Sequence, residues 1–550
     1  METTTSQQAF RFGPYVALSG LFFTLAAYLI HRILQIGTRP ASLPPGPPTR
    51  PIWGNIREIP AVHPHLQYTA WAARYGPLYT IMKGNTPYLI ISSAPLAHEL
   101  LNKRGQLTAG RPAHRLDLEG RGNYVPAMMS GPRWRAARKM WHSILNVGAA
   151  RCYLPYQTLE ASKLLVDVAD DPARLRRHLE RFSNSVGMTM LNGLRVPSAE
   201  DPGIREVVDS LLEWGLLGMR WGWLDDYAFV WKLPYWAVPG RPMAKVLTAR
   251  HEELVWRHWN KTKELVRTCT PLPNFIAAIQ EKLKGGWEGI SEREGCEVAN
   301  SLLVAATDTT SSSLNNWVAA MALFPEVQRK AQEEIDRVVG PDRLPRDEDA
   351  VDLPYTRQVI QELQRWISVA PLALPHATTA PMQVGEWHIP AGTVLVLNTY
   401  AIHTDPATYP EPREFRPERW EGKLEMVTSD EQVGARTDLF AFGAGRRVCP
   451  GQHLAERNLF FMVSYMLWAF DIKKQKDDGG REIDIDMDDL RPGIVNTINP
   501  YSVDVKPRSA GRLELVKANW AEQREKLLDA NEQWIQSPEA VTSVMAKTAK

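Results

Sequence analysis

The sequence runs to 550 residues, length enough for roughly three or four domains, yet no Ser/Gly-rich linker and no internal repeat divides it. Its 44% hydrophobic and 23% charged residues are an ordinary globular balance, and a net charge of +2 leaves no footprint for nucleic acid. Four unevenly spaced cysteines argue against a disulfide framework and for a reducing compartment.

The first element is apolar. No charge falls between Arg11 and Arg32, about the 20 residues that span a bilayer as a helix. A cleavable signal peptide would have a charged start, a shorter apolar core and a small-residue cleavage site. Here the basic residues mostly follow, at Arg32, Arg39 and Arg50. By the positive-inside tendency the bulk of the chain is cytosolic. Segment 13–34 therefore reads as an uncleaved single-pass signal anchor behind a lumenal 1–12. On the cytosolic side the sequon Asn260-Lys261-Thr262 would go unused. Residues 35–54 read as a stiff hinge around Leu43-Pro44-Pro45-Gly46-Pro47-Pro48.

Tyr79 to Ser93 reads as two short strands about Gly84-Asn85, and Val384 to Asn398 as a strand-like patch turned by Pro390-Ala391-Gly392. Most other long segments, such as Val327 to Val339 and Leu454 to Phe470, have helical periodicity. A mainly α domain with small β-sheets is expected. Gly131 to Lys139 opens a basic helix on which Trp134 and Arg138 share a face. Five of the nineteen tryptophans, Trp214, Trp221, Trp223, Trp231 and Trp236, fall in one stretch. Core packing explains such a stretch as well as a membrane interface or an apolar channel mouth does. Ala299 to Leu323 is a long helix with Asp308, Thr309 and Thr310 at its apolar centre. A carboxylate there is costly unless it has a task, though hydroxyls also bond back to helix carbonyls. Glu362 and Arg365 stand at i and i+3, worth about 0.2–0.5 kcal/mol as an exposed pair. His376 follows, and histidine is the commonest metal ligand.

Phe442 to Gly451 reads FGAGRRVCPG. Gly445 and Gly451 let the backbone pass close to something flat, because neither carries a Cβ. Cys449 precedes an apolar helix, whose dipole and free N–H groups favour a thiolate. A thiolate is a strong ligand for iron. Cys152, Cys269 and Cys296 lack such surroundings and read as inert. A nucleotide loop is rejected, since the third glycine of G-x-G-x-x-G would fall at Val448. The spacing F-x-x-G-x-R-x-C-x-G resembles the haem-binding loop of the cytochrome P-450 family, the haem-thiolate monooxygenases.

That resemblance covers about residues 40–509. It implies a single catalytic domain over 55–509, behind the anchor and the hinge. It implies that Cys449 is the axial ligand of heme b iron, within the loop residues Phe442, Arg447 and Gly451. Trp134-x-x-x-Arg138 resembles the motif that holds a haem propionate, and His376 becomes a second propionate donor. Ala305-Ala306-Thr307-Asp308-Thr309-Thr310 resembles the oxygen-binding A-G-x-D-T-T. It departs at Ala306, whose methyl would narrow the oxygen groove. Asp308 and Thr309 would relay protons. Glu362, Arg365 and the Arg419 of Pro417-Glu418-Arg419-Trp420 would form a buried network holding the cysteine loop. The tryptophan-rich stretch would be the roof of a pocket lined by Tyr124, Leu302, Ala305, Ala370, Leu374 and Val495. P-L-x-x-P-H-x-x-T resembles fungal microsomal members.

The reading is a monooxygenase in the endoplasmic reticulum membrane. It would take NADPH electrons through a cytochrome reductase docked on the basic helix, and oxidise an apolar small molecule. A fungal secondary metabolite (terpenoid, polyketide or alkaloid) is the expected substrate, with fatty acids and xenobiotics as alternatives. A haem-thiolate isomerase or dehydratase would often lack the acid–alcohol pair, and a haem carrier would not need it. Residues 510–550 read as a charged, helix-prone tail with no assigned role.

Overall fold

The structure, a computed structural model, describes residues 5–112, 125–268, 272–287, 289–423 and 439–549. Helix α1 (Thr5–Gln35) leads, and its stretch Ala17–Gln35 is exposed and long and apolar enough to cross a membrane. Then come α2 (Pro64–Tyr75), α3 (Pro132–Leu145), α4 (Val147–Cys152), α5 (Leu154–Asp170) and α6 (Leu175–Asn192). They are followed by α7 (Pro202–Trp221), α8 (Arg241–Thr268), α9 (Phe275–Lys284), α10 (Glu292–Leu323), α11 (Pro325–Val338) and α12 (Pro354–Trp366). The cysteine loop leads into α13 (Gln452–Ala469), and α14 (Ala510–Leu527) and α15 (Glu539–Ala549) end the chain.

Helix α10 is the central beam. A capping box starts it: Ser291 accepts from the Glu294 N–H, and the Glu294 carboxylate accepts from the Ser291 N–H. Phe324 and Pro325 end it. Its contacts with α6 are extensive, because small residues let the two backbones approach. A methyl built on Gly187 of α6 would stand 3.5 Å from Leu303 and 3.6 Å from Ala306 Cβ. Ala306 thus lies on the α6 side of the beam, and a glycine on the facing helix leaves it room. Helices α5 and α13 complete the layer, with Phe461, Met462 and Trp468 of α13 fully buried.

The sheets are small, as expected of the domain. β1 (Leu78–Lys83) and β2 (Thr86–Ile91) form an antiparallel hairpin about Gly84-Asn85. β2 runs parallel to β6 (Val394–Leu397), and β3 (His376–Ala377) closes the sheet with His376 opposite Leu395. The patch Val384 to Asn398 is split between sheets. β5 (Trp387–Ile389) pairs with β4 (Met382–Val384), while β6 joins β2. β7 (Phe470–Lys474) and β8 (Val503–Pro507) form a separate ribbon. Beyond it, α14 packs on α5, and α15 packs on α9, α3 and α4. The segment expected as a charged tail therefore shares the main core, with Val516, Trp520, Trp534, Val541 and Met545 buried.

Candidate active site

The cysteine loop is tied back on itself. The Gly443 N–H donates to Phe440 O (2.9 Å), the Val448 N–H to Gly445 O (3.1 Å) and the Cys449 N–H to Phe442 O (2.9 Å). Gly445 sits at φ +65°, and a Cβ there would fall 2.0 Å from the Leu101 carbonyl oxygen. Its missing side chain admits a neighbouring backbone rather than a flat ligand. Gly451 differs: its conformation is ordinary, and a Cβ there would meet only Cys449 Sγ, at 3.9 Å. Burial pushes the Cys449 thiol up, against the Gly451 N–H and the Arg138 charge, which pull it down. The helix start therefore aids the thiolate without deciding it, and a cation at sulfur would complete the ionisation.

Around the loop gather three arginines that, among the described residues, bond backbone carbonyls and no carboxylate. Arg447 lies 4.0 Å over the Trp134 ring, and donates to Ala109 O (2.9 Å) and Met128 O (2.8 Å). Its Nη1 is buried with no acceptor among the described residues. Arg111 donates to Pro126 O, Leu374 O and Pro375 O. Arg138 donates to the carbonyl of Val448, next to Cys449. Burial, reinforced by the neighbouring arginines, presses Arg447 down to about 9 and Arg111 to about 10. Burial and then Arg111 hold His376 neutral, at about 3. Its Nδ1–H donates to Thr108 O (2.9 Å), so Nε2 becomes a donor only when an anion draws a second proton there. Two buried arginines and a half-buried third, one with an idle donor, want an anionic partner. Among the described residues no three His, Cys, Asp or Glu side chains converge on a metal. One cysteine and a carboxylate-seeking cluster fit an iron whose other ligands come from an acidic macrocycle such as haem.

The network expected to hold this loop is fully buried rather than an exposed helix pair. Glu362 and Arg365 have 0% exposed side chains and are bonded twice, at 2.7 and 2.9 Å. Glu362 also accepts from the Arg416 N–H (2.9 Å), Arg419 Nε (3.3 Å) and Trp420 Nε1 (3.0 Å). Sequence reasoning missed the link onward, His403. Its Nε2 accepts from the Phe440 N–H (2.9 Å), so its Nδ1–H donates to Ser368 Oγ (2.6 Å). The network thus grips the chain at Phe440, two residues before the loop.

Beyond the first turn of α10, Ala305 and Thr309 are its only exposed residues. Thr309 Oγ1 donates to Ala305 O (2.8 Å) and Ser313 Oγ to Thr309 O (3.0 Å), the back-bonding weighed from the sequence. Asp308 faces elsewhere. Arg491 Nη2 donates to both of its carboxylate oxygens, at 2.9 and 2.8 Å. Asp308 and Thr309 therefore do not form a direct relay in this geometry, because adjacent residues of a helix point about 100° apart. The Arg491 segment is fastened to α10: Asn315 donates to Thr497 Oγ1 and Ile498 O, Asn316 to Asn496 O. The Asn496 N–H donates to Val369 O (2.8 Å). Those bonds bring the segments of Ala370 and Val495 to the beam that carries Leu302 and Ala305. Leu302 is buried; Leu374 is 42% exposed. Tyr124 lies outside the described residues, as does Cys269.

The tryptophan stretch divides. Trp214 is buried with Leu217, Ala244 and Leu247 between α7 and α8. Trp223 and Tyr227 pack against Trp53, whereas Trp236 is 82% exposed. No local signal marked Arg111, His403 or Arg491. Their partners lie 263, 37 and 183 residues away in sequence.

The Cytochrome P-450 family model matches residues 44–505. The chain is similar to Cytochrome P-450 monooxygenase alnH of Emericella nidulans, with 46% identity over 527 residues and 96% of each chain covered. It is similar to Cytochrome P-450 monooxygenase virE of Hypocrea virens, with 36% identity and 94% of each chain covered. A solved zebrafish cytochrome P-450, in a structure with abiraterone, matches with TM-score 0.65 and 26% identity. That match covers 81% of this chain and 100% of the other.

Proposed function

The chain belongs to the cytochrome P-450 monooxygenase family, and from that premise we propose that it is an anchored monooxygenase of the endoplasmic reticulum membrane. Its substrate would be an apolar small molecule of fungal secondary metabolism. The family uses thiolate-ligated haem and electrons from a reductase partner; the haem iron activates oxygen, and the chain supplies position, protons and exclusion of water. In this proposal Cys449 is the iron ligand, and Arg111, Arg138, Arg447 and His376 hold the propionates. The observation that carries the assignment is the idle, buried Arg447 Nη1 beside Trp134, within a cationic cluster flanking the Cys449 loop.

Thr309 would hold the last proton before oxygen. Its Oγ1 can both donate and accept, and breaking its bond to Ala305 O frees the hydrogen. Asp308 would reach Thr309 through water or after release from Arg491. Since Arg491 and Val495 share one loop, filling the pocket would bear on that release. The exposed Ala17–Gln35 helix would insert in the bilayer, and the apolar surface of Phe229, Leu233 and Trp236 would lie against it. Fungal monooxygenase relatives support the secondary-metabolite reading.

The test uses purified full-length protein with haem. Its reduced carbon-monoxide complex should show the red-shifted band of thiolate ligation, and Cys449→Ala should abolish it. Retention of the band in Cys449→Ala would put the ligand elsewhere. Product should require NADPH and reductase. Product from a hydroperoxide without either would establish the isomerase reading instead.

A further inference from the structure

Residues 510–549 lie beyond the matched span 44–505, and nothing in their sequence assigns them a role. Their packing does. Helix α14 lies along α5 with Val516 and Trp520 buried, and Arg195 stands 5.3 Å over the Trp520 ring. Arg512 donates to the Trp468 carbonyl near the end of α13 (2.7 Å), and pairs with Asp336 (2.7 Å). The turn after α14 is pinned. Gln533 accepts from the Arg195 N–H (2.8 Å) and donates to Arg195 O (3.1 Å). Trp534 packs on Tyr156 at 4.9 Å between ring centres, and the Tyr156 hydroxyl shares a hydrogen bond with Ser537 (3.2 Å).

Helix α15 then enters the groove formed by α9, α3 and α4. Val541, Met545 and Thr548, at i, i+4 and i+7, make one buried face, while Glu539, Thr542 and Lys547 face solvent. Thr548 Oγ1 donates to Ser143 Oγ on α3 (3.1 Å). The line of contact continues inward. Helix α3 carries Trp134, which lies under Arg447, and Arg138, which donates to the carbonyl before Cys449. Helix α5 donates from Gln157 to Leu454 O (3.2 Å) and Asn458 Oδ1 (2.7 Å) on α13.

We propose that residues 510–549 are a strap that positions the Cys449 loop. α15 fixes α3, and α14 fixes α5 and the end of α13. Both helices that bracket the cysteine are thereby held from outside. Val541, Met545 and Thr548 are positioning residues and touch no reacting atom. The spectroscopic arm of the test rests on the haem-thiolate reading; the exchange arm does not.

The full-length protein with haem is compared with the double variant Val541→Asp, Met545→Asp, which should evict α15 from its groove. Amide hydrogen exchange in α3 should quicken about tenfold or more, while exchange in α10 stays as in wild type. The carbon-monoxide band should pass partly from the thiolate position to that of a neutral thiol, and haem loss to an apo-acceptor should speed about 10–100-fold. Thr548→Ser, which keeps the hydroxyl, should match wild type in all three. Unchanged α3 exchange with an unchanged band would overturn the strap. If the double variant unfolds, Met545→Gln decides by the same readouts. If wild type itself shows no thiolate band, the haem reading fails, and the strap is judged by α3 exchange alone.

Discussion

The cysteine side of the site and the cavity side use polar groups in opposite ways. On the first, side chains far apart in sequence are tied together. Glu362 accepts from Arg365, Arg416, Arg419 and Trp420, and His403 carries the network on to Phe440. On the second, Ala305 and Thr309 face outward from a core helix, and Trp236 stands 82% exposed. Where the chain must hold one geometry, it pairs its groups with itself. On the side proposed to meet ligand, oxygen and lipid, it leaves side chains exposed, and Thr309 bonds only within its own helix. The idle Arg447 Nη1 stands at the border, a donor on the rigid side still lacking an acceptor.

The hardest blow to the rigid side is removal of Glu362. Glu362→Ala leaves Arg365, which has no exposed surface, without its carboxylate. Breaking a buried pair in that way costs about 3–5 kcal/mol. Thermal melts should show much of the domain's stability gone, with haem content falling in parallel. Normal melting and full haem would mean that the network does not hold the loop.

The open side should break differently, in chemistry and not in fold. Thr309→Val keeps the β-branched shape and removes the hydroxyl. Haem binding and NADPH consumption should persist, while product falls about 10²–10⁴-fold and hydrogen peroxide rises. Full coupling in Thr309→Val would clear Thr309 of the relay.

An acid titration separates the two sides again. Burial first and Arg365 second hold His403 down to about 3, against an unfolded value near 6.5. Below about 6.5 the unfolded chain takes up a proton that the folded chain refuses, so stability falls as pH drops from there toward about 3. One such group gives a slope approaching 1.4 kcal/mol, roughly, per pH unit. His403→Gln should shed that share of the slope in denaturant melts at pH 7 and pH 5. An unaltered slope would mean that His403 is not the group that charges on unfolding.

Much of this was legible because its chemistry is local. F-x-x-G-x-R-x-C-x-G holds ligand, arginine and glycines within ten positions, and E-x-x-R lies on one helical turn. What stayed hidden was made by long loops. Arg491 reaches Asp308 across 183 residues, so a carboxylate that looked poised for Thr309 is instead clamped. Gly187 leaves Ala306 room from the facing helix, which no reading of α10 alone shows. The tryptophans looked alike, yet Trp214 is core and Trp236 is surface, because only tertiary packing distinguishes them. The C-terminal segment reads as charged because its solvent faces are; the apolar Val541 and Met545 were spaced for burial but had no visible partner.

The smallest expected effect concerns α3, the helix with one face on each kind of surface. Its inner face carries Trp134 and Arg138 toward Arg447 and the cysteine loop. Its outer face carries Arg133, Arg135 and Lys139, where the acidic surface of a reductase would dock. The outer charges are not equivalent. Arg133 pairs at 3.0 Å with Glu294, the residue that caps α10, so reversing it would disturb the central beam as well as any docking. Arg135 is exposed and is the cleaner probe. Arg135→Glu should slow reduction by the reductase only a few-fold, on the order of the 0.2–1 kcal/mol of an exposed ion pair. The deficit should shrink as salt rises, since screening at 0.15 M already acts beyond about 8 Å. Haem spectrum and melting should not move. A deficit independent of ionic strength would mean that the substitution acts through the inner face of α3, and an unchanged reduction rate at every salt concentration would place the docking surface elsewhere.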